Sequence, residues 1–434
     1  MTNRKMKLIA YLKTGPTANI PGAWRHASAN LDDLFTPERY EHLARALETA
    51  MFDGCFFADT FGVSDIYGGS FHAFLRRGGQ VSYLDPMIVA PLMTRATKHL
   101  GVGATLSTTF HPPYLLARML ATLDMVSGGR ACWNIVTSHA DLEARNFGMD
   151  QLPPKELRYD QADEVLEACC ALWDSWEQDA LVFDKAGGTF ANPDKVHYAN
   201  YEGRFIRTRG PLGVPHTPQG RPVFLQAGAS PRGRDFAARW AEAVFATNNG
   251  RDQTIKFYND LRNRMSARNR NPDECRILLS ISMVVGETES IAKEKADYLL
   301  SLVEPEMVLA MNSSMMGVDL SKHTTLETLT AAQGNQGIGG TQDKVMLRAA
   351  EEGTSIVDAA KRLSHGLLIG TASSIADQMQ DIFEAGGCDG FIVSPTVSPL
   401  TFEEFGRLVT PELQRRNLLR TAYTGKTMRE NLRD

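Results

Sequence analysis

The chain has 434 residues, more than twice the roughly 150 of an ordinary domain, so one large domain with insertions and a pair of domains both fit. Its 46 Lys and Arg against 51 Asp and Glu leave a net charge of −5, with no basic block long enough to track a phosphate backbone, which excludes nucleic acid as a partner. Hydrophobic residues are 43% and charged ones 22%, and no apolar run approaches the roughly 18 residues that cross a bilayer, so a membrane protein is excluded as well. The basic start at Met1 to Met6 is followed only by the short apolar run 8–12, with no small-residue cleavage site, so it is no signal peptide and a cytoplasmic protein is expected. The 6 cysteines show no CxxC spacing and read as reduced, mostly buried side chains.

In chain order, short apolar runs alternate with longer amphipathic ones. Strands are predicted at 7–12, 54–58, 100–106, 131–136, 223–227, 243–246, 277–285 and 390–393. Each has the length of a strand buried on both faces. Helices are predicted at 37–51, 86–97, 114–126, 157–173, 232–240, 252–268, 290–300 and 375–385, with a last one at 402–413. Boundary chemistry supports them: Thr36 places a capping hydroxyl before Pro37, Gly54 follows the first helix, and Thr371 and Gly386 repeat the scheme around 375–385. Eight strand-helix units predict an α/β fold of the (β/α)8 TIM-barrel type. The rival, an open doubly wound sheet, would want GxGxxG after its first strand, where this chain has an irregular loop starting at Lys13. A barrel needs about 250 residues, so the surplus is expected in long insertions near 174–221 and 304–364 of one domain spanning 1–434. The first is rich in Gly, Pro and Asn; the second is rich in Met, Gly and Gln, with 334–340 its loosest part.

In a parallel barrel the active site forms at the C-terminal ends of the strands. The second strand ends at Asp59, and the third leads into Ser107, Thr108 and Thr109. The fourth carries Asn134 and leads to Thr137, Ser138 and His139, while the fifth leads through Gln226 and Gly228 to Ala229 and Ser230. These groups hydrogen-bond with few charges, which suits a neutral polar ligand. Asp59 and Ser230 also read as helix caps and Asn134 as a satisfied amide, yet four such endings share one rim. The run from Gln226 to Arg234 reads as a phosphate cradle, a glycine turn leading into a helix start with free N–H groups and with Arg232 and Arg234 adding charge. Tyr159 either brings a phenol to the same phosphate or lies buried with its hydroxyl satisfied. His26, His111, His139, His197 and His216 are scattered without HxH or HExxH, so no metal is expected, and neither GxSxG nor GxxxxGK[ST] occurs.

Several blocks together resemble a known family. They are Trp24-Arg25-His26, Phe52 to Asp59, Asp85-Pro86, Leu106 to Thr109, Thr122 to Asp124, Gly129 to His139 with its WN-x-VTSH core, Asn146 to Gly148, Arg158-Tyr159, Gln226 to Gly233, Gly370-Thr371 and Gly387 to Phe391. In this order the chain resembles the bacterial luciferase-like flavin monooxygenases from about residue 6 to 413, within them the nitrilotriacetate, dibenzothiophene-sulfone and long-chain-alkane monooxygenase group. The resemblance implies a (β/α)8 barrel that takes reduced FMN (FMNH2) from a separate NAD(P)H:flavin reductase and uses O2 to oxygenate a small organic compound, aromatic or containing sulfur or nitrogen. It also implies a homo-oligomer, dimer or tetramer. By position, it implies that Asp59 lines the flavin site, Thr108 lies beneath the ring and Asn134 addresses its pyrimidine edge. Ser138 and His139 would stand at the reactive edge, Tyr159, Ala229 and Ser230 at the ribityl phosphate, and His26 and Gln80 on the substrate side. The chain departs from its alkane-oxidising relatives at Gly15, Ala18, Ser64 and Met311, which argues against a long-chain alkane substrate.

The family implies that the flavin supplies the oxygen chemistry while the protein orients the reactants and excludes water. Two readings of residues 304–364 follow: a lid whose Met307, Met311, Met315 and Met316 roof the ring, or ordinary packing. Among Phe56, Phe57, Phe61, Phe71 and Tyr83, the first two are expected in the core and the others could wall an aromatic pocket. Three other functions stay open: a sugar-phosphate lyase or isomerase, which would want a Lys or Glu at a strand end where the endings above have neither, a deazaflavin-dependent dehydrogenase on the same barrel, and a flavin-binding protein without turnover.

Overall fold

The computed structural model describes residues 4–17, 19–228, 230–248, 250–331, 339–361 and 366–434. Nine apolar runs form the parallel strands β1 (Lys7–Leu12), β2 (Gly54–Phe57), β3 (Gly101–Ser107), β4 (Ala131–Val136), β5 (Val223–Gln226), β6 (Ala243–Ala246), β7 (Arg276–Val285), β8 (Leu367–Gly370) and β9 (Gly390–Val393). They run β6–β5–β4–β3–β2–β1–β9–β7 around a ring. Pairing of β6 with β7, Ala243 opposite Arg276 through Ala246 opposite Leu279, closes it. The result is the predicted closed barrel of eight strands, not the doubly wound sheet.

The ninth strand was not predicted. The lower half of β7 pairs with β9, Leu278 opposite Gly390, and its upper half turns to β8, Ser282 opposite Leu367. Three of the four β8 residues are not buried, so this edge piece, as long as β2 or β9, lacks the burial on both faces that marks the ring strands.

The helices between strands lie where the periodicity put them, from Pro37–Thr49 to Ala372–Glu384, shifted by a few residues at their ends. Thr371 caps its helix through the Ser374 N–H, whereas the Thr36 hydroxyl makes no capping bond, and Pro37 there removes one N–H that would need a partner. The helix expected at 402–413 is broken into Leu400–Glu404, a π turn at Phe405–Val409, and Thr410–Arg415. Phe402, Phe405, Val409 and Leu413 nonetheless all reach the core beside Phe52.

Between β4 and β5, residues 174–221 hold two small hairpins, Leu181–Asp184 with Thr189–Ala191 and Tyr201–Glu202 with Arg207–Thr208. The stretch 304–364, expected as a long loop, holds four helices among its described residues: Pro305–Met316, Leu326–Ala331, Gly339–Glu352 and Ile356–Lys361. Residues 332–338 and 362–365 lie outside the described residues. Met316 packs with Leu309, Val318, Leu320 and Leu329 in a core of its own, and Met307 and Met311 pack on Phe74 and Val81 of the β2 loop. Among the described residues no helix is long and apolar enough to cross a membrane.

The bottom of the barrel is stoppered by the helix Met428–Arg433, which no sequence pattern flagged. Met428 and Leu432 enter among Ile9, Phe56, Cys132, Val223, Leu225 and Leu278. Gly54 and Gly101 make room: a Cβ on Gly101 would come 2.3 Å from the Met428 sulfur. The buried Lys7 ammonium donates to the carbonyls of Asn431 (2.9 Å) and Asp434 (2.7 Å). Arg420 pairs with the fully buried Asp53, whose other oxygen accepts from Leu8 N–H at 2.7 Å. Replacing Met428 by Ala is expected to cost about 2–5 kcal/mol, and Arg420→Met about 3–5 kcal/mol because Asp53 is left buried and unpaired. Urea denaturation of both variants, with Met428→Leu as the volume-matched control, measures this; a loss as small for Met428→Ala as for the control would remove the stopper role.

Candidate active site

Strands β2, β3, β4 and β5 are neighbours and parallel, so Asp59, Thr108, Ser138 and the turn after Gln226 come to one rim. The strands there are tied by side chains as well as by their ladder. Thr108 gives both its N–H (2.9 Å) and its hydroxyl (3.3 Å) to the Val136 carbonyl, and Thr109 gives its hydroxyl to Thr137 at 2.9 Å.

The loop after β4 is held in an uncommon shape. Ser138 has φ +60, a left-handed conformation that costs a residue with a Cβ roughly 1 kcal/mol or more. Its hydroxyl donates to Ser107 Oγ at 2.9 Å and approaches Glu143 Oε1 at 3.5 Å. Glu143 accepts from the N–H groups of Phe61 (3.3 Å), His139 (3.4 Å) and Ala140 (3.4 Å), so one carboxylate ties the β2 loop to the β4 loop and starts the helix Asp141–Asn146. Burial holds the His139 imidazole below its ordinary pKa; Glu143 opposes this, and Lys13 and Arg158 reinforce it. His139 is therefore neutral at pH 7.

Inside the barrel Asn134 donates to Thr105 Oγ1 at 2.7 Å, while its Oδ1 is buried without a partner. The turn after β5 is closely packed. A Cβ on Gly228 would lie 2.4 Å from Gln226 Nε2 and 2.8 Å from the Gly233 carbonyl, and one on Gly233 would lie 2.9 Å from the Tyr159 hydroxyl. Ser230 Oγ caps the helix Pro231–Trp240 by accepting from Gly233 N–H at 3.1 Å, and Tyr159, buried against Phe236, hydrogen-bonds to Ser230. Burial raises the Tyr159 pKa, so the phenol stays protonated and can donate. The two arginines behave otherwise than expected. Arg232 is bound by Asp160 (3.0 Å) and Asp163 (2.8 Å), and Arg234 pairs with Asp260, so an anion at this turn would meet N–H and O–H donors rather than free guanidinium groups.

The sequence profile of the luciferase-like monooxygenases matches residues 17–389. The chain belongs to that family. It is 41% identical over 438 positions to the dibenzothiophene-sulfone monooxygenase of Rhodococcus erythropolis, covering 99% of this chain and 96% of that one. The crystal structure of long-chain alkane monooxygenase superposes with a TM-score of 0.90 at 34% identity, covering 100% of this chain and 96% of that one. The crystal structure of a riboflavin lyase with modified FMN and riboflavin gives 0.90 at 29% identity, covering 99% and 96%. The protein is accordingly an enzyme, an oxidoreductase of the monooxygenase type.

Within this luciferase-like barrel the expected site residues do not all converge. Asp59, Thr108, Ser138 and His139 share the rim, and Tyr159 and Ser230 share the turn, while Ala229 lies outside the described residues. Gln80 is reached through its carbonyl, 3.5 Å from Lys13 Nζ. His26 stands apart: its ring packs on Tyr298 (5.1 Å), with Lys295 and Glu404 nearby, against the helix that follows β7, three strands round the ring from β4. Phe56 and Phe57 are core, Phe71 and Tyr83 are exposed, and Phe61 meets Phe110, His111 and Phe147.

Two charged residues at the rim were missed. Lys13 follows β1 directly, so a lysine does stand at a strand end, and Glu143 lies one loop beyond β4, where only the three-residue step after Ala140 at a helix start hinted at its capping role. An NMR titration of His139 is expected to give a midpoint below the ordinary value of about 6.5. Glu143→Gln removes the charge that raises it, so the midpoint falls further; a rise in that variant would refute the pairing.

Proposed function

We propose that this luciferase-like barrel, 1–434 with insertions near 174–221 and 304–364, is the oxygenase of a two-component system that uses reduced FMN and O2 on a small organic compound. The supporting observation is the unpartnered, buried Asn134 Oδ1 inside the barrel, together with the Gly228–Gly233 turn served by Tyr159 and Ser230. A buried amide oxygen without a donor costs roughly 1–3 kcal/mol and calls for a ligand N–H. The flavin ring carries such a donor on its pyrimidine edge, and its reduced form carries more of them than its oxidised form. A turn whose arginines are neutralised but whose hydroxyls are available suits a phosphate monoester, so the residues present fit FMN. Reduced FMN with O2 supplies the oxygen-transfer chemistry; this chain would bind and orient it, with Asn134 at the ring edge and Tyr159 and Ser230 at the phosphate. Ser138 and neutral His139 would face the reacting atoms, the first as a hydroxyl that would turn its hydrogen from Ser107 Oγ to the ligand and the second as an imidazole able to accept a proton without first releasing one. The 35% identical nitrilotriacetate monooxygenase component A of Aminobacter aminovorans is named as one component of a system, which supports a partner NAD(P)H:flavin reductase as the source of reduced flavin here.

Anaerobic titrations are expected to show tighter binding of reduced than of oxidised FMN. Ser230→Ala and Tyr159→Phe should each weaken FMN by about 1–2 kcal/mol. Because Ser230 is also a helix cap worth about 1 kcal/mol, thermal unfolding is recorded in parallel. An unchanged FMN affinity in both variants would take the phosphate away from this turn. For Ser138→Ala and His139→Ala, FMN affinity should stay within a few-fold while product formed per NADH consumed falls, using a substrate found by oxygen uptake above the reductase background. Wild-type coupling in the folded variants would sink their assignment.

A further inference from the structure

Among the described residues Lys13 is a rim cation without a close acceptor. Its ammonium carries three donors, yet its closest acceptor is the Gln80 carbonyl at 3.5 Å, beyond the usual hydrogen-bond range of about 2.7–3.2 Å. Among the described residues it makes no ion pair. The two carboxylates nearest in charge are already engaged: Asp59 accepts from Thr60 N–H at 2.8 Å, beside a Ser82 hydroxyl that donates to the Ala58 carbonyl at 3.4 Å, and Glu143 holds the β2 and β4 loops together. Burial pulls the Lys13 pKa down to about 8, more than Asp59 and Glu143 restore. A half-buried cation left short of acceptors costs stability unless something else completes it.

Position narrows what that is. The phosphate turn follows β5, four strands round an eight-strand ring from β1, so Lys13 and the turn start from opposite sides of the rim. Of the groups around its ammonium, Gln80 and Asp59 belong to the loop after β2 and Glu143 and His139 to the loop after β4, and none belongs to the turn after β5.

We propose that Lys13 determines substrate specificity by pairing with an anionic oxygen group on the organic substrate, a carboxylate, sulfinate or sulfonate. The proposal rests on the monooxygenase reading for the identity of the mouth as the substrate site, and it adds the chemical class of substrate. An anion there supplies the missing acceptors and keeps the ammonium charged, whereas a neutral hydrocarbon would leave it unsatisfied.

The test uses defined probes, because the substrate is not identified. Benzoate and benzenesulfinate, with methyl benzoate and methyl phenyl sulfone as neutral partners, are titrated calorimetrically into the whole protein with and without FMN. Wild type is expected to prefer each anion by about tenfold or more, as for a charge-assisted hydrogen bond in a half-buried site. Lys13→Gln should abolish the preference and Lys13→Arg retain most of it, with FMN affinity unchanged in both. Equal affinity for anion and neutral partner in wild type, or a preference that survives Lys13→Gln, overturns the proposal. Loss of FMN affinity in Lys13→Gln with the anion preference intact also overturns it and gives the cation to the flavin. A wild-type protein that binds the anions selectively but no FMN strikes instead at the proposed function, so the two failures are separable.

Discussion

Closure of the ring by β6 against β7 is the constraint on which the rest depends. An open parallel sheet would leave the N–H and C=O groups of its end strands unpaired. β7 solves this with ten residues that serve three neighbours, β6 and β9 below and β8 above. Once the ring is closed, its interior must be filled from both ends. The bottom is filled by Met428 and Leu432, with Gly54 and Gly101 giving way to them, and the middle by Phe56 stacked on Phe245 at 4.8 Å with Tyr11 edge-on at 5.7 Å. Only the upper end is left for polar groups.

That upper end concentrates the unfavourable features of the molecule. Ser138 carries a left-handed backbone, Asn134 an unpaired amide oxygen, and Lys13 and Asp59 charges that burial disfavours. Strain and incomplete hydrogen bonding persist only where surrounding structure over-determines them. Here Glu143 does much of that work, because its two oxygens gather three N–H donors from two loops. The salt bridges that remove Arg232 and Arg234 from the turn act in the same sense, since they leave anion recognition there to hydroxyl and N–H groups of fixed direction.

The second insertion shows why long stretches of mixed composition resist reading. Its Met, Gly and Gln content suggests a loop, but Met307 and Met311 find a surface in Phe74 and Val81, residues more than two hundred positions earlier. Helix formation there is secured by a contact between distant parts of the chain rather than by local pattern.

What the sequence determined by itself is the set of elements and the strand ends: eight buried runs with amphipathic helices between them impose a parallel barrel, and the rim positions of Asp59, Thr108, Ser138 and Ser230 follow from parallelism alone. Three of the family blocks, Leu106 to Thr109, Gly129 to His139 and Gln226 to Gly233, lie along those ends. Tertiary structure alone decided which polar groups were already used. Arg232 and Arg234 read as free charges until their aspartates came into place, His26 showed no sign of its packing on Tyr298, and Lys13 read as the start of a loop until its neighbours proved committed elsewhere. A sequence shows which side chains can donate or accept. Whether a partner within 3 Å or so has already claimed them depends on contacts between residues tens to hundreds of positions apart, which no local periodicity encodes.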